Sequence, residues 1–491
     1  KFSLMLSKND KVFIDKDKNL GFCDVVQHKI QMKPDAKFKH ATPYRYPPKM
    51  KQQIDEQIQY LLTQKVIEPS GDVIFTSPIL AVKKGAKKSQ KHLHPDVPRE
   101  VRFCIDLRAL NAQSLYQQYY MPSFDLILDF LANKKAKYYT KLDLSSGYHQ
   151  LAVHPSSRPL LGFHWNSRTY RFTRIPMGLH SSPSSFSRAL TTILDKHLNK
   201  STILYLDDIL VASNTIEEHI KDVHNVLQCL IKANLKLSPK KCHFAQHEME
   251  YLGHIVSHKG YTPSNSHVHA IATYPKPQNN DKKSLRSFNG LVNFFSPFIP
   301  NKAELIKPLH QLALKESKWE WTEVHDKAFA ELKQIMTSSP FLHYPDFEKR
   351  FYIFCDSSDV SIGGGLFQLD DKNNFYPIAF TGRALNKAEI KRTIFERELL
   401  SVVYVITQFS VYLQEREFTI FSDNNSLVNL FQKAGSKLSP KVARWMLFLQ
   451  SYKFTIQHIK GKANSVADFL SRRLYDFDHT TVDENIALFP Q

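Results

Sequence analysis

The sequence is poor in cysteine and in long apolar runs, two features that mark secreted, zinc-binding and membrane-spanning proteins. Its 491 residues include five cysteines, and no Cys-x-x-Cys pair or Cys/His cluster has the spacing of zinc ligands. We therefore expect free thiols in a reducing compartment. The sequence has no signal peptide and no run of about 18 or more apolar residues, which predicts a soluble, intracellular protein with no membrane partner.

Basic residues are in clear excess over acidic residues. The chain has 66 Lys and Arg against 47 Asp and Glu, which gives a formal net charge of +19. Such an excess favours a polyanionic partner, with nucleic acid as the first interpretation. A merely soluble basic protein would show the same charge. The length is sufficient for three or more compact units, each with its own core.

A pair of adjacent aspartates interrupts an apolar run at residues 203–211, which has the sequence Ile-Leu-Tyr-Leu-Asp-Asp-Ile-Leu-Val. The run predicts two short buried strands with Asp207 and Asp208 at the turn between them. Two neighbouring anions repel each other unless they share a cation, and carboxylate oxygens suit Mg²⁺. A hairpin turn with two solvated aspartates would give the same pattern.

A third aspartate ends an earlier strand-like run. Asp143 lies in residues 141–148, which have the sequence Lys-Leu-Asp-Leu-Ser-Ser-Gly-Tyr. Phosphoryl transfer to a 3′-hydroxyl uses two metal ions roughly 3.5–4 Å apart, one at the attacking oxygen and one at the leaving oxygen. Three carboxylates at two strand ends are the usual minimum for holding such a pair of ions.

Five motifs, taken in their order, resemble the reverse transcriptases of gypsy-class long-terminal-repeat retrotransposons, over residues 40–474. They lie at residues 102–108 (Arg-Phe-Cys-Ile-Asp-Leu-Arg), 141–144 (Lys-Leu-Asp-Leu), 176–179 (Pro-Met-Gly-Leu), 205–208 (Tyr-Leu-Asp-Asp) and 251–254 (Tyr-Leu-Gly-His). The resemblance implies a multidomain α/β and α+β fold. It would consist of a right-hand polymerase with fingers, palm and thumb, followed by a ribonuclease H-like α/β domain.

The resemblance also assigns roles in the polymerase site. Arg102 would contact the incoming triphosphate, where a planar guanidinium suits phosphate oxygens. Lys83 or Lys84 would add positive charge nearby, unless these lysines only form a solvated surface of the fingers. The residues expected to hold two Mg²⁺ ions are Asp143, Asp207 and Asp208.

Further residues would contact the nucleotide and the primer. Tyr148 matches the aromatic steric gate that excludes a ribose 2′-hydroxyl, with a core tyrosine as the alternative. Met177 stands where retroviral enzymes carry Gln, so it would pack against the nucleotide or in the core. Tyr251, Leu252 and Gly253 resemble the primer grip, a hairpin that holds the primer end toward the aspartates.

A second set of acidic residues follows in an order of elements that resembles ribonuclease H. In that family four acids bind two metal ions and cleave RNA in a hybrid. Glu396 competes with Glu398 for one position, and the Glu-Leu-Leu match favours Glu398. His458 matches a catalytic loop histidine, although a structural role explains it equally well. The four expected acids are Asp356, Glu398, Asp423 and Asp468.

The predicted domain limits follow from composition and from the motifs. They are an N-terminal lead-in at 1–40, fingers and palm at 41–275, a helical thumb at 276–345, ribonuclease H at 346–474 and a C-terminal tail without an assigned role at 475–491.

The resemblance implies an RNA- and DNA-directed DNA polymerase that copies retrotransposon RNA into DNA, and a ribonuclease H that degrades the RNA of the RNA/DNA hybrid. Both would use two Mg²⁺ ions per site. The expected partners are deoxynucleoside triphosphates, an RNA template with a DNA or tRNA primer, and the hybrid, and the resemblance allows a homodimer. The expected location is the cytoplasm, within virus-like particles, and later the nucleus.

Two alternatives stay open at this stage. A catalytically silent, nucleic-acid-binding structural subunit of a polymerase dimer would carry the same motifs, although all seven expected carboxylates are present. A reverse transcriptase without long terminal repeats, or an intron-encoded one, is disfavoured by the Ala-Asp-Phe-Leu-Ser-Arg motif at residues 467–472. The first residue is Lys rather than Met, which would suit release from a longer polyprotein.

Overall fold

A computed structural model gives the fold. It describes residues 1–15, 19–37, 41–83, 101–117, 122–278, 280–300, 302–338, 341–432, 439–459 and 487–488. The chain divides into two compact units, Lys1–Met249 and Glu250–Gln491. No helix within the described ranges is long and apolar enough to cross a membrane. The predicted domain limits stay predictions.

The first unit is mixed α/β. Its helices are α1 (Phe2–Lys8), α2 (Pro48–Thr63), α3 (Arg108–Gln113), α4 (Phe124–Lys134), α5 (Ser182–Leu194) and α6 (Ile216–Lys232). Its strands are β1 (Cys23–His28), β2 (Ile67–Pro69), β3 (Ile79–Lys83), β4 (Val101–Ile105), β5 (Tyr138–Asp143), β6 (Leu151–Val153), β7 (Gly162–Trp165), β8 (Arg168–Phe172), β9 (Thr202–Tyr205), β10 (Asp208–Ser213) and β11 (His243–Gln246).

An antiparallel sheet in the order β11-β5-β10-β9 positions the predicted polymerase aspartates. Helices α5 and α6 pack on this sheet. The Thr215 side chain caps α6 by accepting a hydrogen bond from the backbone N–H of Glu218. One face of α6 buries Val223, Leu227 and Leu230, and this apolar stripe fixes the helix against the sheet.

The N-terminal lead-in is an integral part of the first unit, although its sequence shows little pattern. Strand β1 pairs in parallel with β6. The backbone N–H of Leu237 donates to Val12 O at 2.8 Å, and the N–H of Ile14 donates to Leu237 O at 3.0 Å. These bonds join residues far apart in sequence, so local periodicity carries no signal for them. The remaining strands of the unit form the small antiparallel sheets β2-β8-β7 and β3-β4.

Strand β12 (Glu248–Tyr251) leads into the second unit. The helices of this unit are α7 (Asn265–Ala272), α8 (Lys282–Phe294), α9 (Lys302–Leu312), α10 (Glu323–Thr337), α11 (Lys387–Ile390), α12 (Ile394–Gln408), α13 (Ser410–Leu413), α14 (Asn425–Gln432) and α15 (Pro440–Leu449). Its strands are β13 (His254–Ser257), β14 (Gly260–Pro263), β15 (Leu342–His343), β16 (Phe351–Ser357), β17 (Ser361–Leu369), β18 (Phe375–Ala384), β19 (Glu417–Ser422), β20 (Lys453–His458) and β21 (Ala487–Leu488).

A mixed sheet in the order β18-β17-β16-β19-β20-β21 forms the centre of the second unit. Strand β16 is antiparallel to β17 and parallel to β19, which is parallel to β20. Helix α12 packs on this sheet and buries Leu399, Val402 and Ile406. Because β16 and β19 run in the same direction, the residues that follow them meet at one edge of the sheet.

Helices α7 to α10 enclose a separate apolar core in the second unit. The rings of Phe288 and Phe329 lie with their centroids 4.4 Å apart inside it. Trp319 and Trp321 are partly buried against this core. Strand β15 then returns to pair with β14, which extends the sheet β12-β13-β14-β15.

Candidate active sites

The two adjacent aspartates lie at the tight turn between β9 and β10, as the apolar run predicts. Tyr205 pairs with Asp208 across the hairpin, so Leu206 and Asp207 form a two-residue turn. Leu206 has φ +56°, in the left-handed region. A leucine there is strained by about 1–2 kcal/mol, and such strain tends to concentrate at functional sites.

Strand β5 brings Asp143 to the same place. In the antiparallel register of β5 and β10, Asp143 lies directly opposite Asp208. The Nζ of Lys141 lies 2.9 Å from Asp208 Oδ1, and the Nζ of Lys241 lies 3.2 Å from Asp143 Oδ1. The three predicted aspartates therefore come together in one cluster, and two lysines to which the motifs assign no role pair with it.

Burial and neighbouring charges shift the pKa of Asp208 in this cluster. Burial raises the pKa of Asp208, the ion pair with Lys141 lowers it, and the nearby charges of Asp207 and Asp143 raise it further. Lys141 lies two residues before Asp143 on the same face of β5, so strand periodicity is the signal that could have indicated it. No sequence signal indicates Lys241, since it reaches Asp143 from a segment 98 residues away.

The chemistry of this donor set suits a divalent cation. Within the described residues, no group of three or more His, Cys, Asp or Glu side chains is arranged to hold a metal ion. Instead, two ammonium groups pair with the carboxylates. Carboxylates that repel one another and already attract cations are the ligands that Mg²⁺ prefers. The chemistry of these carboxylates therefore fits the ion, and Lys141 and Lys241 would have to move away from them for the ion to bind.

The backbone of Asp143 is held on both sides. Ser238 N donates to Asp143 O at 2.9 Å. The backbone N–H of Asp143 also donates to Cys242 Sγ at 3.5 Å. Burial raises the pKa of the Cys242 thiol to about 11, so it acts here as a neutral, buried hydrogen-bonding group.

The structure describes some of the residues that are expected to contact the nucleotide. The half-buried ring of Tyr148 packs against Phe186 with centroids 5.1 Å apart. Burial raises the pKa of Tyr148 and the charge of Asp207 adds to the shift, which places the phenol near the aspartate cluster. Met177 is 38% exposed, so its side chain is not packed in the core. Asn111 braces the adjacent loop by donating to Gly178 O at 2.9 Å.

The basic nucleotide contacts fall largely outside the described part of the chain. Arg102 lies in β4, opposite Val82 of β3 in the antiparallel register. The side chains of Arg102 and Lys83 lie outside the described part, and Lys84 lies outside the described residues altogether. Their roles stay predictions.

The predicted primer-grip residues form the turn between β12 and β13 in the second unit. Leu252 has φ +49° and Gly253 has φ +81°, the two positive values that a tight two-residue hairpin requires. A Cβ on Gly253 would lie 2.7 Å from Cε1 of His267, so this close approach requires glycine as well. Tyr251 is fully buried at the end of β12. The contact of this turn with a primer stays a prediction.

The second unit gathers three of the four predicted nuclease acids. Asp356 lies near the end of β16, and Asp423 follows β19 directly. Glu398 lies on α12 and is 5% exposed. Ser357 Oγ donates to Glu398 Oε1 at 2.7 Å, while Glu398 Oε2 is buried without a hydrogen-bond partner in the described residues. Asp468 lies outside the described residues.

Burial and neighbouring acids raise the pKa values of two of the nuclease acids. Burial raises the pKa of Glu398 to about 7, and the charges of Asp423 and Asp356 add to the shift. Burial and the charge of Asp423 likewise raise the pKa of Asp356. A buried acid with an unpartnered oxygen beside two other acids is the chemistry that a bound divalent cation would relieve, so these residues also fit the ion.

Glu396 and His458 have structural contacts. The Glu396 carboxylate accepts a hydrogen bond from the backbone of Thr393 at 3.4 Å and completes the capping box of α12. This contact supports Glu398 as the acid of the pair that faces the site. His458 ends β20, and its Nε2 lies 3.2 Å from Asp423 O. His458 therefore adjoins the site through the backbone of Asp423.

The chain matches models of two known protein families. One is the reverse transcriptase (RNA-dependent DNA polymerase), over residues 83–256. The other is the RNase H-like domain found in reverse transcriptase, over residues 321–420. Families of this kind generally use divalent metals such as Mg²⁺.

Curated relatives come from retrotransposons. The chain is 36% identical over 430 residues to the retrovirus-related Pol polyprotein from transposon 297 of Drosophila melanogaster, covering 87% of this chain and 39% of the relative. It is 30% identical over 431 residues to the transposon Tf2-3 polyprotein of Schizosaccharomyces pombe, covering 87% of this chain and 31% of the relative. The chain thus spans less than two fifths of the length of these relatives.

A solved structure shares the fold. The foamy viral protease-reverse transcriptase in complex with dsDNA superposes with a TM-score of 0.76 at 23% identity, covering 94% of this chain and 93% of that chain. This similarity confirms the predicted fold class of a right-hand polymerase followed by a ribonuclease H-like α/β domain. The family matches show that the chain contains a reverse transcriptase domain and an RNase H-like domain of the kind found in reverse transcriptases, and the chain is similar to Pol polyproteins of retrotransposons.

Proposed function

We propose that the chain is an RNA- and DNA-directed DNA polymerase that copies retrotransposon RNA into DNA, and a ribonuclease H that degrades the RNA of the resulting hybrid. The observation that carries the proposal is the presence of two separate acidic clusters, one in each compact unit. Asp143, Asp207 and Asp208 lie in the segment that matches the reverse transcriptase family. Asp356 and Glu398 lie in the segment that matches the RNase H-like domain. The net charge of +19 supports a nucleic-acid substrate.

In the polymerase site, Asp143, Asp207 and Asp208 would hold two Mg²⁺ ions. When bound, these ions would activate the primer 3′-hydroxyl and stabilise the leaving pyrophosphate. Lys141 and Lys241 supply positive charge to the carboxylates and would yield position to the ions. Because the ions would supply this chemistry, the main role of the protein side chains would be to hold the reacting groups in place.

The surroundings of this site would select the substrate. The Tyr148 ring, held against Phe186, would exclude the 2′-hydroxyl of a ribonucleotide. Arg102 and Lys84 would bind the triphosphate, and the exposed Met177 would pack against the nucleotide. The hairpin turn of Tyr251, Leu252 and Gly253 would hold the primer.

In the nuclease site, Asp356, Glu398, Asp423 and Asp468 would hold two Mg²⁺ ions. Glu398 has a pKa of about 7 and so is partly protonated at neutral pH, and it must lose that proton to bind a cation. Ser357 fixes one of its oxygens and leaves the other available. His458 would assist proton transfer or product release from its position beside Asp423.

The proposed partners follow from this chemistry. They are deoxynucleoside triphosphates, an RNA template with a DNA or tRNA primer, and an RNA/DNA hybrid held through its phosphates by the helical region of the second unit. Solved structures of the foamy viral relative contain dsDNA or an RNA/DNA hybrid, which supports such partners. A homodimer, and a location in cytoplasmic virus-like particles with a later nuclear stage, belong to the same proposal.

The test is primer extension by the intact chain on an RNA template, with separate labels on the DNA primer and the RNA. With Mg²⁺ and deoxynucleotides we expect the primer to lengthen and the RNA to be cleaved, and we expect EDTA to stop both reactions. If the chain binds the hybrid but neither extends nor cleaves it, the result would contradict the proposal and support a structural subunit.

A further inference from the structure

A buried glutamine closes the loop that carries Asp143 and Tyr148. The Gln150 side chain is fully buried. Its Nε2 donates to Ser145 O at 2.7 Å and to Lys236 O at 2.9 Å. Its Oε1 accepts a hydrogen bond from Lys236 N at 2.7 Å. One side chain therefore joins the end of the loop to its beginning and to a neighbouring segment.

The loop is shaped by strain and by close packing. Ser146 has φ +48°, a conformation that non-glycine residues seldom adopt. A Cβ on Gly147 would lie 2.8 Å from Cζ of Phe186, the ring on which Tyr148 rests. A strained, closely packed loop keeps its shape only if its surroundings hold it, and the hydrogen bonds of Gln150 do so.

The segment bound by Gln150 also holds Asp143. Ser145 N donates to Lys236 O at 3.0 Å, and Ser238 N donates to Asp143 O at 2.9 Å. Gln150 and Asp143 are therefore fixed to one short stretch, residues 236–238. That stretch is held in turn by the lead-in, through the bonds of Leu237 with residues 12 and 14.

The lead-in also covers Gln150 and excludes water from its hydrogen bonds. A Cβ on Gly21 would lie 2.6 Å from Gln150 Oε1 and 2.0 Å from Asn234 O, so the backbone at Gly21 packs directly on the amide. The buried guanidinium of Arg174 donates to Gly21 O at 2.5 Å and to His149 O at 3.2 Å. Without Gln150, three partly buried backbone groups would lose a hydrogen-bond partner.

We propose that Gln150 is a positioning residue of the polymerase site, which fixes the place of the Tyr148 ring relative to the Asp143 carboxylate. It thereby sets how strongly the site prefers deoxynucleotides to ribonucleotides. This inference rests on the proposed polymerase function and on the role of Tyr148 within it. Gln150 acts through the loop and contacts neither substrate nor metal.

The test is the substitution Gln150→Glu, which keeps the shape of the side chain and removes both N–H donors. We expect kcat for deoxynucleotide incorporation to fall by about 10- to 100-fold, the scale of a small misplacement of reacting groups. We expect the ratio of deoxynucleotide to ribonucleotide kcat/KM to fall as well. Cleavage of the RNA in a hybrid by the same preparation should stay within about twofold, since a variant that had lost its fold would lose both activities.

The second unit offers a matched control. Gln368 is also fully buried, and its Nε2 donates to Asp346 O at 2.6 Å and to Lys349 O at 3.3 Å. Its Oε1 accepts a hydrogen bond from Asp346 N at 2.9 Å. Gln368→Glu thus removes the same donors far along the chain. We expect it to leave the deoxynucleotide preference unchanged.

A double substitution separates positioning from a general loss of stability. If Gln150 acts through Tyr148, Gln150→Glu should lower the deoxynucleotide preference no further once Tyr148→Ala has removed the gate. If Gln150→Glu fails to fold, Gln150→Met provides the same measurement with an apolar side chain of similar length.

Two results would overturn the inference. One is an unchanged deoxynucleotide preference in folded Gln150→Glu. The other is an equal loss of preference in Gln368→Glu. A native chain that cleaves RNA but does not extend a primer would instead contradict the proposed polymerase function, and the inference with it.

Discussion

Both acidic clusters bring several carboxylates together, but the charges that surround the carboxylates differ between the two clusters. In the first unit, Lys141 and Lys241 pair with Asp208 and Asp143 at 2.9 and 3.2 Å. In the second unit, Glu398 is buried with one unpartnered oxygen in the described residues, and its pKa is about 7. The polymerase carboxylates thus form direct ion pairs with lysines. In the nuclease cluster Arg397 pairs with Asp359, and it lowers the pKa of Glu398 without preventing its rise.

This difference indicates how each site offsets the repulsion between its carboxylates when no metal ion is bound. A lysine keeps a carboxylate ionised and can move aside, which suits a site that must exchange nucleotide and metal at each step. A buried acid without a cation takes up a proton instead.

The largest effect should come from Glu398→Gln. The amide removes the charge that would bind the cation while it keeps the shape of the side chain. We expect RNA cleavage to fall by about a thousandfold or more, as for other groups that stabilise charge in a transition state. Primer extension should stay within about twofold. The measurement is the single-turnover rate of each activity in one preparation.

The neighbouring Glu396→Gln is the matched control for that experiment. Glu396 completes the capping box of α12 with Thr393, and a Gln oxygen can accept the same hydrogen bond, so the substitution should lower stability by at most about 0.5 kcal/mol and leave cleavage nearly unchanged. A large loss of cleavage in Glu396→Gln, with cleavage retained in Glu398→Gln, would reverse the assignment of the two acids.

The next largest effect should be a dependence of the Mg²⁺ affinity on pH. The pKa of Glu398 is about 7, so the carboxyl is mainly protonated below that value and must release a proton to bind Mg²⁺. The apparent Mg²⁺ affinity in RNA cleavage should therefore weaken by up to about tenfold for each pH unit below 7. Primer extension should weaken less, because Lys141 favours the ionised form of Asp208. If the apparent Mg²⁺ affinity fell equally steeply with pH for RNA cleavage and for primer extension, the proposed electrostatic difference between the two sites would be wrong.

The raised pKa of Glu398 also predicts how the stability of the fold varies with pH when Mg²⁺ is absent. The folded pKa of Glu398 lies above its ordinary value of 4.5, so between 4.5 and about 7 the folded state binds more protons than the unfolded state. The contribution of Glu398 to stability is therefore full below pH 4.5 and is lost as the pH rises toward about 7. Thermal unfolding in EDTA should show this loss in the native chain and lack it in Glu398→Gln.

A smaller effect should follow from Lys141→Met, which removes the cation beside Asp208. Lys141 lowers the pKa of Asp208, so its removal should raise that pKa further and move the acid limb of the primer-extension profile to higher pH. RNA cleavage should keep its profile. Lys241→Met is the control, because the Lys241 side chain is 65% exposed and its interaction is screened by water. A larger shift for Lys241→Met would contradict this ranking.

The smallest effect concerns backbone strain, which the two units share. Leu206 and Leu252 have φ +56° and +49° at hairpin turns. Asparagine tolerates this conformation better, so Leu206→Asn and Leu252→Asn should each raise the free energy of unfolding by up to about 1 kcal/mol. Urea unfolding measures the change. Destabilisation by Leu206→Asn would show that the leucine side chain contributes more than the strain costs.

The sequence permits prediction of what is local, such as strand ends, turns and helix faces. Asp143, Asp207 and Asp208 are at strand ends because apolar runs lead into them, and the structure places them together. The Glu-Leu-Leu match favours Glu398 over Glu396 in the sequence, but it does not show which of the two side chains is buried. Burial decides between them only after the helix has packed on its sheet.

Contacts between distant segments could not be predicted. The pairing of Lys241 with Asp143, the hydrogen bonds of Gln150 with Lys236, and the docking of residues 12–14 on Leu237 all depend on chain topology. Asp468 and Lys84 lie outside the described residues, so their positions stay predictions, as do the domain limits.

The central claim is that the chain holds two separable metal-dependent sites. The most direct measurement compares primer extension and RNA cleavage in the intact chain, in Asp207→Asn and in Asp423→Asn. We predict that Asp207→Asn stops extension and leaves cleavage, while Asp423→Asn stops cleavage and leaves extension. If either substitution abolished both activities in a folded protein, the two clusters would not be independent sites, and the account would be wrong.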